Sequence, residues 1–388
     1  MTNATTTVPR AEAESVLSGA RIVTPDGVLD DGWVSIAAGR ILGVGTGTPP
    51  VSAVTRSLAG RWLVPGFIDI HCHGGGGESF DGESTERIRT AIRTHRATGT
   101  TTMLGSLVSG PIPELARQVS RLAELVEDGE LAGIHLEGPF LSAARCGAHT
   151  PELLRAPDRE SVATLLTAGR GAVRMVTLAP ELEGAVRAVG QLIDGGSLVA
   201  IGHTDAFEAQ VLPAVDAGAT VATHLFNAMR PLHHREPGPI GTLLDDERVT
   251  VELICDLVHL HPTTVRMGAR HAGPDRTVLV TDAISATGMG DGQYELGGLQ
   301  VTVTDGVPLL DNGSLAGSSL TMDVAFRNLV QTCGLSVEDA VAATATRPAA
   351  VLGLADEIGC ITPGHRADLV VLDEELGLRE VLRRGEPA

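Results

Sequence analysis

Apolar positions along this chain fall into two alternating patterns. Short unbroken apolar runs recur at Trp62–Ile70, Thr100–Leu104, Ala132–Leu136, Val173–Leu178, Leu198–Ile201, Thr220–Thr223, Val249–Cys255 and Thr277–Val280. Runs of that length, apolar on both faces, predict strands buried in a parallel sheet. Between them lie stretches whose apolar residues return every three or four positions, for instance Thr85–Ala97, Ile112–Glu127, Glu160–Ala168, Glu183–Ile193 and Ala206–Ala217. That spacing predicts helices with one buried stripe. Eight strand–helix units in succession predict an α/β chain folded as a (β/α)8, TIM-like barrel over residues 62–360. An open doubly wound sheet competes with it, but such sheets carry a nucleotide-binding glycine fingerprint, and no good one is found.

The flanks read differently. From Val16 to Arg61 the pattern alternates with period two, broken by a turn at Pro25-Asp26-Gly27. The C-terminal stretch ADLVVLD, with a further short strand near Glu380–Arg384, has the same character. Neither flank holds enough strands to bury a core by itself. The two are expected to join as a small β-sandwich domain of residues 16–61 plus 361–388. Residues 1–15 are polar and expected to be disordered. Gly290–Asn312 reads as a hairpin insertion after the eighth strand, and two more helices are expected near Thr321–Thr332 and Ser336–Ala345.

Composition narrows the chemistry. The chain has 388 residues, 43% hydrophobic and 20% charged, with a net charge of −19. An acidic surface argues against nucleic acid or an anionic membrane as partner, because phosphate backbones require a basic face. No apolar run reaches the roughly 18 residues of a membrane-spanning helix. Met1–Ser15 has no apolar leader segment, and five scattered cysteines form no CxxC pair. A reducing, cytoplasmic setting is expected. All 29 basic side chains are arginine. A lysine Schiff base, a Walker lysine and a carbamylated-lysine metal bridge are therefore excluded.

In a barrel, active residues sit at the C-terminal ends of strands. Reading those ends in order gives His71 and His73, then Glu137, His203, His224, Asp256 with His259, and Asp282. Any one of them alone reads more readily as a satisfied turn residue. Their recurrence at strand end after strand end points to a metal centre. His71 and His73 lie two apart, so an extended backbone turns both imidazoles to one face; the plainer reading is a polar strand cap. Glu137, His203 and His224 make a one-carboxylate, two-imidazole set suited to a catalytic Zn2+, with Fe2+ or Co2+ as alternatives. Asp282 suits a general base, or else a carboxylate that orients a histidine. Met229–Pro239 carries Arg230, His233, His234 and Arg235, a cationic patch that is either an incidental surface loop or an anion-binding one.

The motifs GFIDIHCHG, HLEGPF, GAHTPE, GHTDA, THLFNAM and LVTDAIS, in that order and flanked by the small sheet, resemble the N-acetylglucosamine-6-phosphate deacetylases of the amidohydrolase superfamily. The resemblance runs from about residue 16 to residue 373. It implies metal-dependent hydrolysis of the acetamido group of the sugar phosphate in amino-sugar recycling. Glu137, His203 and His224 match metal ligands, and Asp282 the catalytic acid/base. His149, preceded by Ala148, matches a residue that polarises the acetyl carbonyl. Asn227 and Ala228 match a phosphate-contacting pair, Arg235 and His259 further sugar-phosphate contacts, and Leu315-Ala316-Gly317 a backbone segment lining the site. His71 and His73 leave room for a second ion beside the essential one. The resemblance also implies a homodimer in which Arg235 completes the neighbouring subunit's site. Cys146 stands where some members have lysine. The galacto epimer, another amidohydrolase reaction and a silent sugar-phosphate sensor are the alternatives.

Overall fold

The structure, a computed structural model, describes residues 13–388. The expectation of disorder for residues 1–12 lies outside the described residues, whereas Ala13–Ser15 already belong to a strand, Ala13–Thr24. Eight parallel strands follow one another around a barrel: Phe67–Asp69, Thr100–Leu107, Gly133–Glu137, Val173–Leu178, Leu198–Ile201, Val221–Ala222, Thr250–Ile254 and Thr277–Val280. Their order in space is their order in sequence. The ring closes past the formal strand ends, where the Asp282 N–H donates to the His71 carbonyl at 2.8 Å and the His73 N–H to the Ala283 carbonyl at 2.8 Å.

Helices cover the outside of the ring. Ile112–Glu127 buries Ile112, Leu115, Val119, Leu122 and Ala123, the stripe that a 3.6-residue period requires. Arg159–Gly169 is capped by Asp158, which accepts hydrogen bonds from the Ser161 N–H at 2.8 Å and Oγ at 2.6 Å. Met322–Gln331 and Val337–Val341 fall in the two C-terminal helical stretches. The second continues through a wide π turn, Ala342–Thr346, into Arg347–Val351.

Strands from both ends of the chain form one hydrogen-bonded sheet, in the order Glu386–Pro387, Leu378–Arg383, Leu369–Leu372, Trp62–Pro65, Ala13–Thr24, Gly27–Ala37 and Arg40–Thr46; Ser52–Ser57 also pairs with Ala13–Thr24. The sheet folds over its own core of Leu17, Ile22, Val34, Ile36, Leu63, Leu369 and Val371.

Two local expectations change. The run Trp62–Ile70 is two strands. Trp62–Pro65 belongs to the terminal sheet, and Phe67–Asp69 opens the barrel. The break falls at Gly66, where a side chain would collide with Thr101 and the N–H donates to the Asp368 carbonyl at 2.8 Å. The insertion is a three-stranded meander, Gly292–Leu296, Leu299–Thr304 and Val307–Leu309, in place of a hairpin. Its extra strand follows from a second tight turn. Gly297-Gly298 and Asp305-Gly306 each have two consecutive positive φ angles, the two-residue geometry that matches strand twist.

Candidate metal-binding active site

The barrel mouth gathers the strand-end residues into one cavity of about 300 Å³. Its lining includes His73, Glu137, Ala148, His149, His203, His224, Asn227, Ala228, His259, Asp282, Leu315 and Gly317. His203, His224 and Asp282 have φ of +46°, +28° and +51°, which non-glycine residues seldom adopt. Each sits just past the end of its strand, and all three side chains reach the cavity.

Glu137 is the hub. Its Oε1 lies 2.9 Å from His224 Nε2, 3.1 Å from His203 Nε2 and 3.5 Å from His71 Nε2; its Oε2 lies 3.1 Å from His73 Nε2. His73 Nε2 is also 3.2 Å from Asp282 Oδ1. The edges of a tetrahedron of ligands about 2.0–2.2 Å from a zinc ion are about 3.3–3.6 Å, close to these separations. The spacing of these donors therefore fits a divalent ion at Glu137, His203 and His224. A second position, among His71, His73, Glu137 and Asp282, has ligand atoms within 4.8 Å of one another.

Electrostatics agree with that fit. Burial works against charge on His71 and His73, yet Glu137 and Asp282 outweigh it. They lift His71 well above its ordinary pKa and His73 to about 9. Burial likewise opposes charge on Asp282, but His71 and His73 hold its carboxyl at about 2. The paired carboxylates call for positive charge between them, which divalent ions provide.

The remaining ring nitrogens fix the tautomers. His203 Nδ1 donates to the Arg145 carbonyl at 2.9 Å, and His71 Nδ1 to Glu252 Oε2 at 3.2 Å, so in the neutral rings, once a metal displaces any Nε2 proton, the Nε2 lone pairs are left for that ion. His149 behaves oppositely. Its Nδ1 accepts the Ser109 N–H at 3.3 Å, so the neutral ring carries its proton on Nε2, facing the cavity. Burial pushes its pKa down to about 4 and keeps it neutral. His259 Nδ1 donates to Asp256 Oδ2 at 2.6 Å; burial disfavours its cation, but Asp256 prevails and raises its pKa.

Three sequence candidates do not line the cavity itself. His71 is fully buried beneath the cavity. Ala316 is turned into an apolar cluster with Val108, Ile284 and Leu296, because neighbours in an extended segment face opposite ways. Arg235 is exposed and lies against His234 at 2.7 Å, outside its own chain's cavity. Arg230 is held by Asp205 at 2.6 Å over the Phe207 ring. Sequence reasoning missed Glu252, whose signal is a carboxylate inside the buried run VELIC. It also missed the apolar lining residues Val108 and Leu296, which look like ordinary core.

Residues 62–385 match the model of the amidohydrolase family. The chain is 36% identical to the N-acetylglucosamine-6-phosphate deacetylase of Bacillus subtilis, with 97% of this chain and 98% of that protein covered. It is also 36% identical to the N-acetylgalactosamine-6-phosphate deacetylase of Escherichia coli O157:H7, over 96% of this chain and 99% of that one. Among solved structures, a mutant N-acetyl-D-glucosamine-6-phosphate deacetylase from Mycobacterium smegmatis, in complex with N-acetyl-D-glucosamine-6-phosphate, superposes with a TM-score of 0.93 at 45% identity, covering 97% of this chain and 99% of that one. With its barrel, its terminal sheet and its Glu/His/Asp centre, the chain belongs to the amidohydrolase family and, within it, to the N-acetylglucosamine-6-phosphate deacetylases.

Proposed function

We propose that this enzyme hydrolyses the acetamido group of N-acetyl-D-glucosamine 6-phosphate to D-glucosamine 6-phosphate and acetate, in amino-sugar recycling in the cytoplasm. One observation carries the reading: Glu137, His203, His224, Asp282 and the neutral His149 converge on a single cavity of about 300 Å³, large enough for one sugar phosphate. Glu137, His203 and His224 would hold Zn2+, with Fe2+ or Co2+ the alternatives, and His71 and His73 would hold a second ion. A divalent ion at such a site acts as a Lewis acid and lowers the pKa of water to near neutrality.

The chain's own groups do the rest. The His149 Nε2–H donates to the acetyl oxygen, where charge develops as the carbonyl is attacked. Asp282, ionised at neutral pH, takes the proton of the attacking water and returns it to the departing amine. His259, the pair Asn227 and Ala228, and the backbone at Leu315 and Gly317 bind the sugar phosphate.

The phosphate of that substrate needs a cation. Among the arginines of Met229–Pro239, Arg230 is engaged with Asp205, whereas Arg235 is exposed and does not line its own cavity. Arg235 reaches the active site of a second copy in a homodimer. The exposed Leu232 beside it, 48% accessible, supplies apolar surface for that contact. Acetate release from the gluco and galacto 6-phosphate epimers, measured with metal-defined protein, tests the reading. Faster turnover of the galacto epimer transfers the assignment to that sugar, and release from neither overturns it.

A further inference from the structure

The cavity at the metal centre has a larger neighbour. A cleft of about 780 Å³ runs beside it, lined by Glu78, Glu114, Tyr294 and Gly297 among others. Val108 borders both spaces. The tip of the three-stranded insertion sits on it. A Cβ placed on Gly297 would lie 2.6 Å from Val108 Cγ2, so the turn can approach this closely only with glycine there. Leu296, one residue before, lines the catalytic cavity and packs in the same apolar cluster as Val108.

We propose that Val108 and Leu296 form the wall that limits the N-acyl group of the substrate to acetyl, an inference that rests on the deacetylase reading above. The acetyl methyl is the one wholly apolar group of an N-acetylhexosamine phosphate, and it belongs against apolar side chains. Val108 directly precedes Ser109, whose N–H sets the tautomer of His149. The carbonyl that His149 engages is one bond from that methyl. An acyl chain lengthened at the methyl runs into Val108, and beyond Val108 lies the empty volume of the cleft. Shortening the wall joins the two spaces and admits longer acyl groups to the same hydrolysis. Water's oxygen joins the acyl carbon, the C–N bond breaks, and the amine leaves with a proton.

The test compares N-acetyl- and N-butanoyl-glucosamine 6-phosphate on the metal-loaded full chain carrying Val108→Ala and, separately, Leu296→Ala. The quantity read is the ratio of kcat/KM for butanoyl over acetyl within one preparation, which cancels any inactive fraction. Discrimination at an apolar pocket is about tenfold or more per methylene. The ratio is expected to rise at least about tenfold in Val108→Ala, with a smaller rise in Leu296→Ala. A ratio unchanged in both variants overturns the wall while leaving the deacetylase reading intact. Absence of acetate release from the unaltered chain overturns the deacetylase reading itself.

Discussion

His71 Nδ1 lies 3.2 Å from Glu252 Oε2, an oxygen that also accepts the His224 backbone N–H at 3.1 Å. One fully buried carboxylate thus orients a ring from the first strand end and steadies the strained backbone of His224 at the sixth. Removing such a partner typically costs 10–100-fold in metal affinity. Glu252→Ala should lose metal by about that factor in equilibrium dialysis, while Glu252→Gln, which keeps an acceptor, should retain most of it. Unaltered protein purified without chelator should hold more than one equivalent by elemental analysis. A value fixed at one after supplementation would remove His71 and His73 from the ligand set.

Asp282→Asn preserves shape but cannot exchange a proton. Its kcat should fall by about 10²–10⁴ with the essential metal still bound. Near-normal turnover by the metal-loaded variant would sink the assignment of the proton carrier.

Arg235→Ala removes the cation proposed for the phosphate. Losing one partner of a desolvated charged pair costs about 2–5 kcal/mol, so kcat/KM should drop at least about tenfold on the 6-phosphate and much less on unphosphorylated N-acetylglucosamine. Mixing dissociated Arg235→Ala and Asp282→Asn subunits then locates the arginine. If it acts across an interface, hybrid dimers contain one intact site and activity returns. If mixing restores nothing, the shared site is wrong.

Asp158 offers a test of pH linkage away from the metal centre. Hydrogen bonds from the Ser161 side chain and N–H hold its carboxyl below its usual pKa. A depressed folded pKa means the cap contributes fully above the unfolded value of about 3.9 and fades as pH falls through the folded value. Asp158→Ala should therefore cost about 1 kcal/mol at neutral pH in denaturant unfolding. That deficit should shrink in acid, and a deficit constant down to about pH 3 would contradict the cap's ionic character.

Strand ends were legible because the barrel rule converts a period into a list of positions. His71, His73, Glu137, His203, His224 and Asp282 all fall where that list puts them, within contact distance of Glu137 or of one another. Glu252 escaped notice because it lies within a strand, where alternation alone cannot distinguish a floor residue from core. Val108 and Leu296 were hidden for a related reason: an apolar side chain lining a cavity has the same sequence signature as one filling the interior. The division of Trp62–Ile70 was invisible because both halves are buried, and only the collision with Thr101 requires glycine at position 66.

That division at Gly66 bears on how the chain is made. Trp62–Pro65 lies between Ala13–Thr24, synthesised before it, and Leu369–Leu372, which emerges much later. Pro65 and its partner Leu369 are roughly 300 residues apart, a very non-local pairing. At ribosomal speeds of about 5–20 residues per second, one edge of Trp62–Pro65 waits on the order of 15–60 s for its partner. Throughout that interval the nascent chain presents an unpaired strand edge joined by a single glycine to the first stave of the barrel. Chains halted before Leu369 keep that edge permanently, and unpaired edges recruit strands from other molecules. Translation through the C-terminal strands is therefore the step that covers this edge.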